Sequence, residues 1–441
     1  MDPERERTRH VGGAGGGPLR AVVCSNAADG HALPMLAVAD AFVRRGWDVR
    51  VLTGARFADR ARAIGARHVA LPPEADLHDE VVRSGRRPGL KAINEGATAA
   101  FLTPAPAAWS VLEAVLREER ADVVLAELAF VGGAGVSGLP DGERPFTVVC
   151  GVLPLGISSA DTAPFGLGLP PARGPLNRPR NRLLTALAIK VLLAPMHREA
   201  ERTLERIGAK PLRGRFFLDF IEDADLLAQF TVPEFEYPRQ DAPAHLRFYG
   251  PVSRTIPSDR PLPDWWDRLD GSRPVVHVSQ GTVANSDFGE LVAPTFAALG
   301  GEDVQIVVTT GGPPVESLPP LPPNALAAPF IPYDRLLPRT DVFVTNGGYG
   351  GLHYAMEYGV PVVVAGDTED KPETAARAAW AGIGIDLRTG RPSGTAVRRA
   401  VRQVLADPAY AAASARIGDA IRASAGPDGL VDDVERALGA T

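Results

Sequence analysis

The segment Asp341-Val342-Phe343-Val344-Thr345-Asn346-Gly347-Gly348-Tyr349-Gly350-Gly351 decides the fold, together with Gly359-Val360-Pro361 and Asp370-Lys371 beyond it. Residues 341–345 are a short apolar run of strand type. Four glycines within the five residues 347–351 then let the backbone approach a ligand closely. A helix beginning near Tyr349 aims its free N–H groups at that ligand, a seat suited to phosphate oxygens. Val360 to Val364 reads as the next strand, and the polar cluster Asp367, Glu369, Asp370 and Lys371 follows its C-terminal end, where an open parallel sheet binds ligands. Taken alone, the glycines also fit a plain strand-to-helix turn with no ligand. The polar cluster one strand further on argues against that.

Working outward, the chain reads as two α/β halves. The first opens with the strand Ala21 to Ser25, a polar loop from Asn26 to His31, and a helix over Leu33 to Arg45. The polar positions Asp40, Arg44 and Arg45 fall on one side of that helix, and Gly46 stops it. Asp48 to Thr53 completes a βαβ unit, and Asp122 to Ala126 is a later strand. Asn181 to Ile207 reads as a long helical region that serves either core packing or ligand contacts. The Pro-rich stretch from Pro233 to Trp265 disfavours both helix and central strand, which suits an interdomain linker. Strands then resume at Val275 to Ser279, Gln305 to Thr309, Val342 to Thr345 and Val360 to Val364, alternating with helices as in a second parallel sheet. The tail from Thr395 to Leu438 is helical, with breaks near Pro408 and Gly426-Pro427. The resulting division is 1–19 a disordered tail, 20–235 the first domain, 236–265 the linker, 266–425 the second domain, and 426–441 a C-terminal helix packing back on the first.

A chain of 441 residues suits two or three domains of about 150 residues each, with ample core. Its 47 Lys plus Arg against 53 Asp plus Glu, net −6, argue against a nucleic-acid partner. Two cysteines, Cys24 and Cys150, are too few for a disulfide framework or a zinc site. No apolar stretch reaches about 18 residues, so no stable membrane insertion is expected. Residues 1–19 lack an apolar leader core, and a soluble cytoplasmic protein is the expectation. Oligomeric state is open.

Two sheets facing across a cleft suit a two-substrate reaction. After the first strand come Asp29 and His31, and imidazole is the natural base near neutral pH. His31 also reads as a structural loop histidine. Glu127, ending a neighbouring strand, could orient it as a carboxylate orients the base of an activated hydroxyl. Asp122 is a competing carboxylate at the wrong end of its strand, and Asp29 is a reserve base. In the second half Ser279-Gln280-Gly281-Thr282 also follows a strand, so two such turns could grip one diphosphate. There is no Walker lysine, no G-x-G-x-x-G after the first strand, and no metal-spaced cluster. No metal and no cofactor are therefore expected.

At these residues the chain resembles family 1 glycosyltransferases of the GT-B fold, in particular their actinobacterial natural-product and macrolide-type branch, over nearly all of its length after about residue 20. The family's Gly-His-x-x-Pro loop is Gly30-His31-Ala32-Leu33-Pro34 here. The resemblance implies His31 as catalytic base and Glu127 in the place of the family's partner Asp. The donor signature His-Gly-Gly-x-Gly-Thr appears as Asn346-Gly347-Gly348-Tyr349-Gly350-Gly351. Phe330-Ile331-Pro332-Tyr333 resembles the base-binding stretch, which implies Phe330 stacking by the nucleobase and the Ile331 backbone reading its edge. Asp370-Lys371 matches the Asp-Gln pair that contacts donor-sugar hydroxyls.

Three departures bear on the donor. Asn346 replaces the His that donates to the diphosphate and cannot supply positive charge. Tyr354 stands where a Glu binds the ribose hydroxyls, which opens a dTDP-sugar beside a UDP-sugar. Lys371 replaces Gln, to pair with Asp370 or select the sugar. The resemblance implies inverting, metal-independent transfer of a sugar to a hydroxyl of a small hydrophobic acceptor. That acceptor would be held in the first domain near Phe130, Pro154, Phe165 and the 183–193 region, under a loop, 162–175, that orders with ligand. The alternatives are a non-catalytic nucleotide-sugar-binding homologue or helper, and an epimerase or hydrolase on the same fold.

Overall fold

In the computed structural model, whose described residues are 17–77, 90–252, 260–282 and 285–439, the chain forms two parallel sheets. The first holds β1 (Arg20–Cys24), β2 (Asp48–Thr53), β3 (Arg67–Ala70), β4 (Val123–Glu127), β5 (Phe146–Gly151), β6 (Leu226–Gln229) and β7 (Leu246–Phe248), in the order β3-β2-β1-β4-β5-β6-β7. The second holds β8 (Val275–Ser279), β9 (Gln305–Thr309), β10 (Ala325–Ala328), β11 (Val342–Thr345), β12 (Val362–Val364) and β13 (Gly384–Asp386), in the order β10-β9-β8-β11-β12-β13. Every pairing is parallel, with Val23 opposite both Val51 and Leu125, and Val344 opposite Val278 and Val363. Helices cover both faces, so central strands such as Val275-Val276-His277-Val278-Ser279 are buried along their whole length. Burying each such Val or Leu contributes about 1.5–3 kcal/mol.

In each sheet the strand order reverses at one place, between β1 and β4 and between β8 and β11. Connections leave those neighbouring strands in opposite directions, so a crevice opens at their carboxyl ends. His31 and Glu127 follow β1 and end β4; Ser279 ends β8 and Asn346 follows β11.

Several boundaries differ from the sequence reading. The helix after β1 begins at Asp29, not Leu33, so His31 sits in its first turn and Pro34 lies inside it. The Pro-rich 236–265 stretch is not wholly a linker. Leu246–Phe248 pairs with β6 as an edge strand, where flanking prolines are tolerated. Its Pro257 lies outside the described residues, as does the tail over 1–16, but Leu19 is buried in the first core. One helical run, Asn94–Glu118, is as long and apolar as a membrane span, with 39% of its apolar window buried. A π-helical turn over Thr98–Leu102 and a helix from Ala105 join in it, and Ala105, Ala108, Trp109, Leu112 and Val115 pack in the first core. The helix Gly426–Ala437 lies on the first domain. Its Leu430, Val431 and Val434 join the core under β1, and its Glu435 accepts from Trp47 Nε1 at 3.1 Å.

Candidate active site

His31 Nδ1 lies 3.1 Å from Glu127 Oε1, and both side chains are nearly or fully enclosed. The bond is close but poorly aligned, as catalytic hydrogen bonds often are before substrate tightens them. Glu127 is itself held. Asn26 Nδ2 donates to its Oε1 at 2.6 Å, and the Ala129 N–H donates to its Oε2 at 2.7 Å. The Phe101 ring stands 5.6 Å from the imidazole. Burial alone would push the His31 pKa down. Glu127, together with Asp370 and Glu369 of the second domain, outweighs this, and the imidazole is held above its ordinary range. The charges of Asp370 and Glu369 thus reach His31 from the second domain.

Two other histidines do not compete. His277 and His353 are buried neutral, their pKa pushed down to about 4 by desolvation. Asp29 turns to Arg56 Nη2 at 3.2 Å. Asp122 accepts from the Arg20 N–H at the opposite end of the sheet.

In the second domain the two glycine-bearing turns meet. Asn346 Nδ2 donates to the Gln280 carbonyl at 2.5 Å, and Gln280 Oε1 accepts from Leu291 N–H and Val292 N–H at the start of the next helix. One N–H of Asn346 is thus engaged by the protein, leaving its second for a ligand. Ser279 Oγ accepts from the Gly281 N–H at 3.2 Å, while Gly281 and Thr282 are exposed at the turn. Gly347 has φ +87°, and a Cβ there would fall 2.6 Å from Val364 Cγ1. Gly348 is the residue before the helix Tyr349–Glu357 and has open space at its Cβ position, with Gly350 and Gly351 in the first turn. The first amides of such a helix start have no intrahelical partner, an arrangement suited to an anion. The Phe330 ring is 47% exposed, with Arg260 at 5.7 Å from its centre and Gly312 near its edge. Ile331 is buried. Tyr354 packs edge-on against Tyr333 at 5.3 Å.

Gly347→Ala forces a methyl group onto Val364 and into a left-handed backbone. We expect it to cost about 1–3 kcal/mol and to weaken nucleotide binding, read from thermal unfolding with and without nucleotide.

Three sequence expectations change here. Lys371 does not pair with Asp370. Its Nζ bonds Glu369 and, at 3.3 Å, Thr368 Oγ1, because the side chain folds back over Gly366. Asp370 is left facing the cleft side, its pKa pushed up by burial, with Glu369 adding to the rise and Lys371 opposing it. Phe130 is a core residue rather than an acceptor contact, buried beside Ala126 and Gly133, and Pro154 is also buried. Phe165 lies against Gly156, within a loop that is already tied down. Asn177 Nδ2 donates to the Asp161 carbonyl, and Glu373 accepts from the Gly166 and Gly168 N–H groups. Sequence reading missed Phe101, Asn26, Gly312 and Gly366. Only the glycines carried a local signal; the other two depend on where a distant element packs.

Residues 293–437 match the family described as "Erythromycin biosynthesis protein CIII-like, C-terminal domain". The chain is 40% identical to the 4'-demethylrebeccamycin synthase of Lentzea aerocolonigenes, over 94% of this chain and 98% of that one. It belongs to the family 1 glycosyltransferases of the GT-B fold, in the actinobacterial natural-product branch, and is a sugar-transferring enzyme. UDP-glucosyltransferase 1 of Beauveria bassiana is 34% identical over 89% of each chain. The solved calicheamicin glycosyltransferase CalG4 has the same fold, with TM-score 0.71 and 22% identity over 96% of this chain and 98% of that one.

Proposed function

We propose that the protein transfers a sugar, with inversion and without a metal, from a UDP- or dTDP-sugar to a hydroxyl of a small hydrophobic acceptor. The observation that carries this is the His31–Glu127 pair at one side of a cleft whose other side holds Asp370 and the glycine-rich anion seat. Glu127 fixes the Nδ1 side of the ring, so Nε2 takes the acceptor proton. The acceptor oxygen then bonds to the anomeric carbon, and the electron pair of the broken C–O bond leaves on the diphosphate. Backbone amides near Gly348 and Gly350, the second N–H of Asn346 and the Thr282 hydroxyl stabilise that charge. Relatives named as UDP-glucosyltransferases support a UDP donor. Tyr354, in place of a ribose-binding carboxylate, favours a deoxyribose one. Asp370 is the residue assigned to the donor-sugar hydroxyls. On the acceptor side, Phe101 and Phe165 supply apolar walls.

The test is product stereochemistry. Incubated with α-linked UDP-glucose or dTDP-glucose and a panel of polycyclic and macrolide alcohols, the enzyme is expected to give a β-linked glucoside, read from the anomeric proton coupling. An α-linked product would remove the single-displacement mechanism and with it the role given to His31.

A further inference from the structure

We propose that Glu373 straps the acceptor-side loop to the helix that carries the donor-sugar residues, so that a nucleotide sugar bound in the second domain further steadies the already fastened loop of the first. The inference rests on the donor seat proposed above. Asp370 precedes the helix Lys371–Trp380, and Glu373 lies in its first turn. Glu373 Oε1 accepts two N–H bonds across the domain boundary, from Gly166 and from Gly168, both at 2.9 Å. Those glycines have φ +96° and +59°, the left-handed backbone that turns two nearby amides onto one oxygen. The contact is tight as well as polar. A Cβ on Gly168 would lie 3.0 Å from Pro372 Cβ and 3.1 Å from the Pro372 carbonyl oxygen.

The other end of the loop is held by the same helix. Glu373 Oε2 accepts from Arg377 Nη1 at 2.9 Å, and Arg377 Nη2 donates to the Leu155 carbonyl at 3.1 Å. Arg377 Nε donates to Glu236 at 3.0 Å, and Glu236 accepts the Leu155 N–H at 2.9 Å. Residues 155 and 166–168 are thus both fastened to one turn and a half of helix, and Phe165 lies between them. A buried network of this kind holds one arrangement well and intermediate ones poorly, so a shift at Asp370 carries to Phe165. Glu373 is a positioning residue: it touches neither substrate in this account.

Hydrogen exchange of the full-length protein, read by mass spectrometry with UDP-glucose or dTDP-glucose added, tests this. In the wild type the sugar nucleotide is expected to slow exchange in 346–351 and 367–373 and also, about fivefold or more, in 163–169, at the lower edge of ordinary intersite coupling. Glu373→Ala and Gly168→Ala attack the strap from opposite sides, and the second leaves the Arg377 cluster intact. Both should keep the slowing at 346–351 and lose it at 163–169. A wild-type loop that ignores the nucleotide while 346–351 responds would overturn the strap. So would loop slowing that survives in both variants. Absence of any response at 346–351 would instead remove the donor seat, and the inference with it.

Discussion

Replacing His31 by Ala is expected to lower turnover about 10²–10⁴-fold, the usual worth of a positioned general base, with donor binding unchanged. The expectation follows from separation of roles. His31 belongs to the first domain, 3.1 Å from Glu127, while the proposed anion seat lies wholly in the second. Turnover with both substrates saturating is the readout, and an unchanged rate would take the base assignment away. Asp29→Asn, run beside it, should stay near wild type, since Asp29 faces Arg56. The pH profile gives a second check. A base must be neutral to accept a proton, so activity falls as pH drops through the His31 pKa. That pKa is raised, chiefly by Glu127 working against burial, so the acid limb should lie above the ordinary imidazole range. In Glu127→Gln it should move to lower pH. The same shift means His31 contributes folding stability on the acid side, lost as pH rises through its folded pKa.

Arg377→Met is expected to destabilise the fold by about 3–5 kcal/mol, the cost of leaving buried charges without their partner. Arg377 and Glu236 are each 1% exposed in their side chains, and Glu373 6%. Removing the guanidinium leaves two carboxylates enclosed, with Arg239, 3.5 Å from Glu236, the one cation paired with either among the described residues. Urea denaturation measures the loss; a change below about 1 kcal/mol would mean that the cluster behaves as an exposed pair. Burial opposes ionisation of Glu236, but Arg377 and Arg239 outweigh it and hold the carboxyl below its usual range. Its contribution is therefore present above the unfolded carboxylate pKa and disappears as pH falls through the folded one.

The strands legible in the sequence were those buried on both faces, such as Asp48–Thr53, Val275–Ser279 and Gln305–Thr309, each rich in Val, Leu or Ile. Arg67–Ala70 and Leu246–Phe248 escaped because edge strands keep polar, exposed residues. The glycine turn at 346–351 announced itself because its backbone geometry demands glycine at Gly347. The pairing of His31 with Glu127 could be suggested but not measured, since 96 positions of chain separate them. Phe130 misled for the reverse reason. It follows Glu127 closely in sequence, yet its ring turns under the sheet. The links between the domains, Glu373 to Gly166 and Arg377 to Leu155, left no local trace at all. A helix face that reads as ordinary amphipathic surface becomes buried only when the second domain closes on the first.

Thermal unfolding of the wild type with UDP, dTDP, GDP and ADP at matched concentrations tests the central claim most directly. A ligand of the folded state adds RT ln(1 + [L]/Kd), about 2.7 kcal/mol at a hundredfold excess over Kd. A clear rise with UDP or dTDP, and little with GDP or ADP, is the predicted result. No rise with any of the four would contradict the reading of residues 279–282 and 346–351 as the seat of a nucleotide sugar.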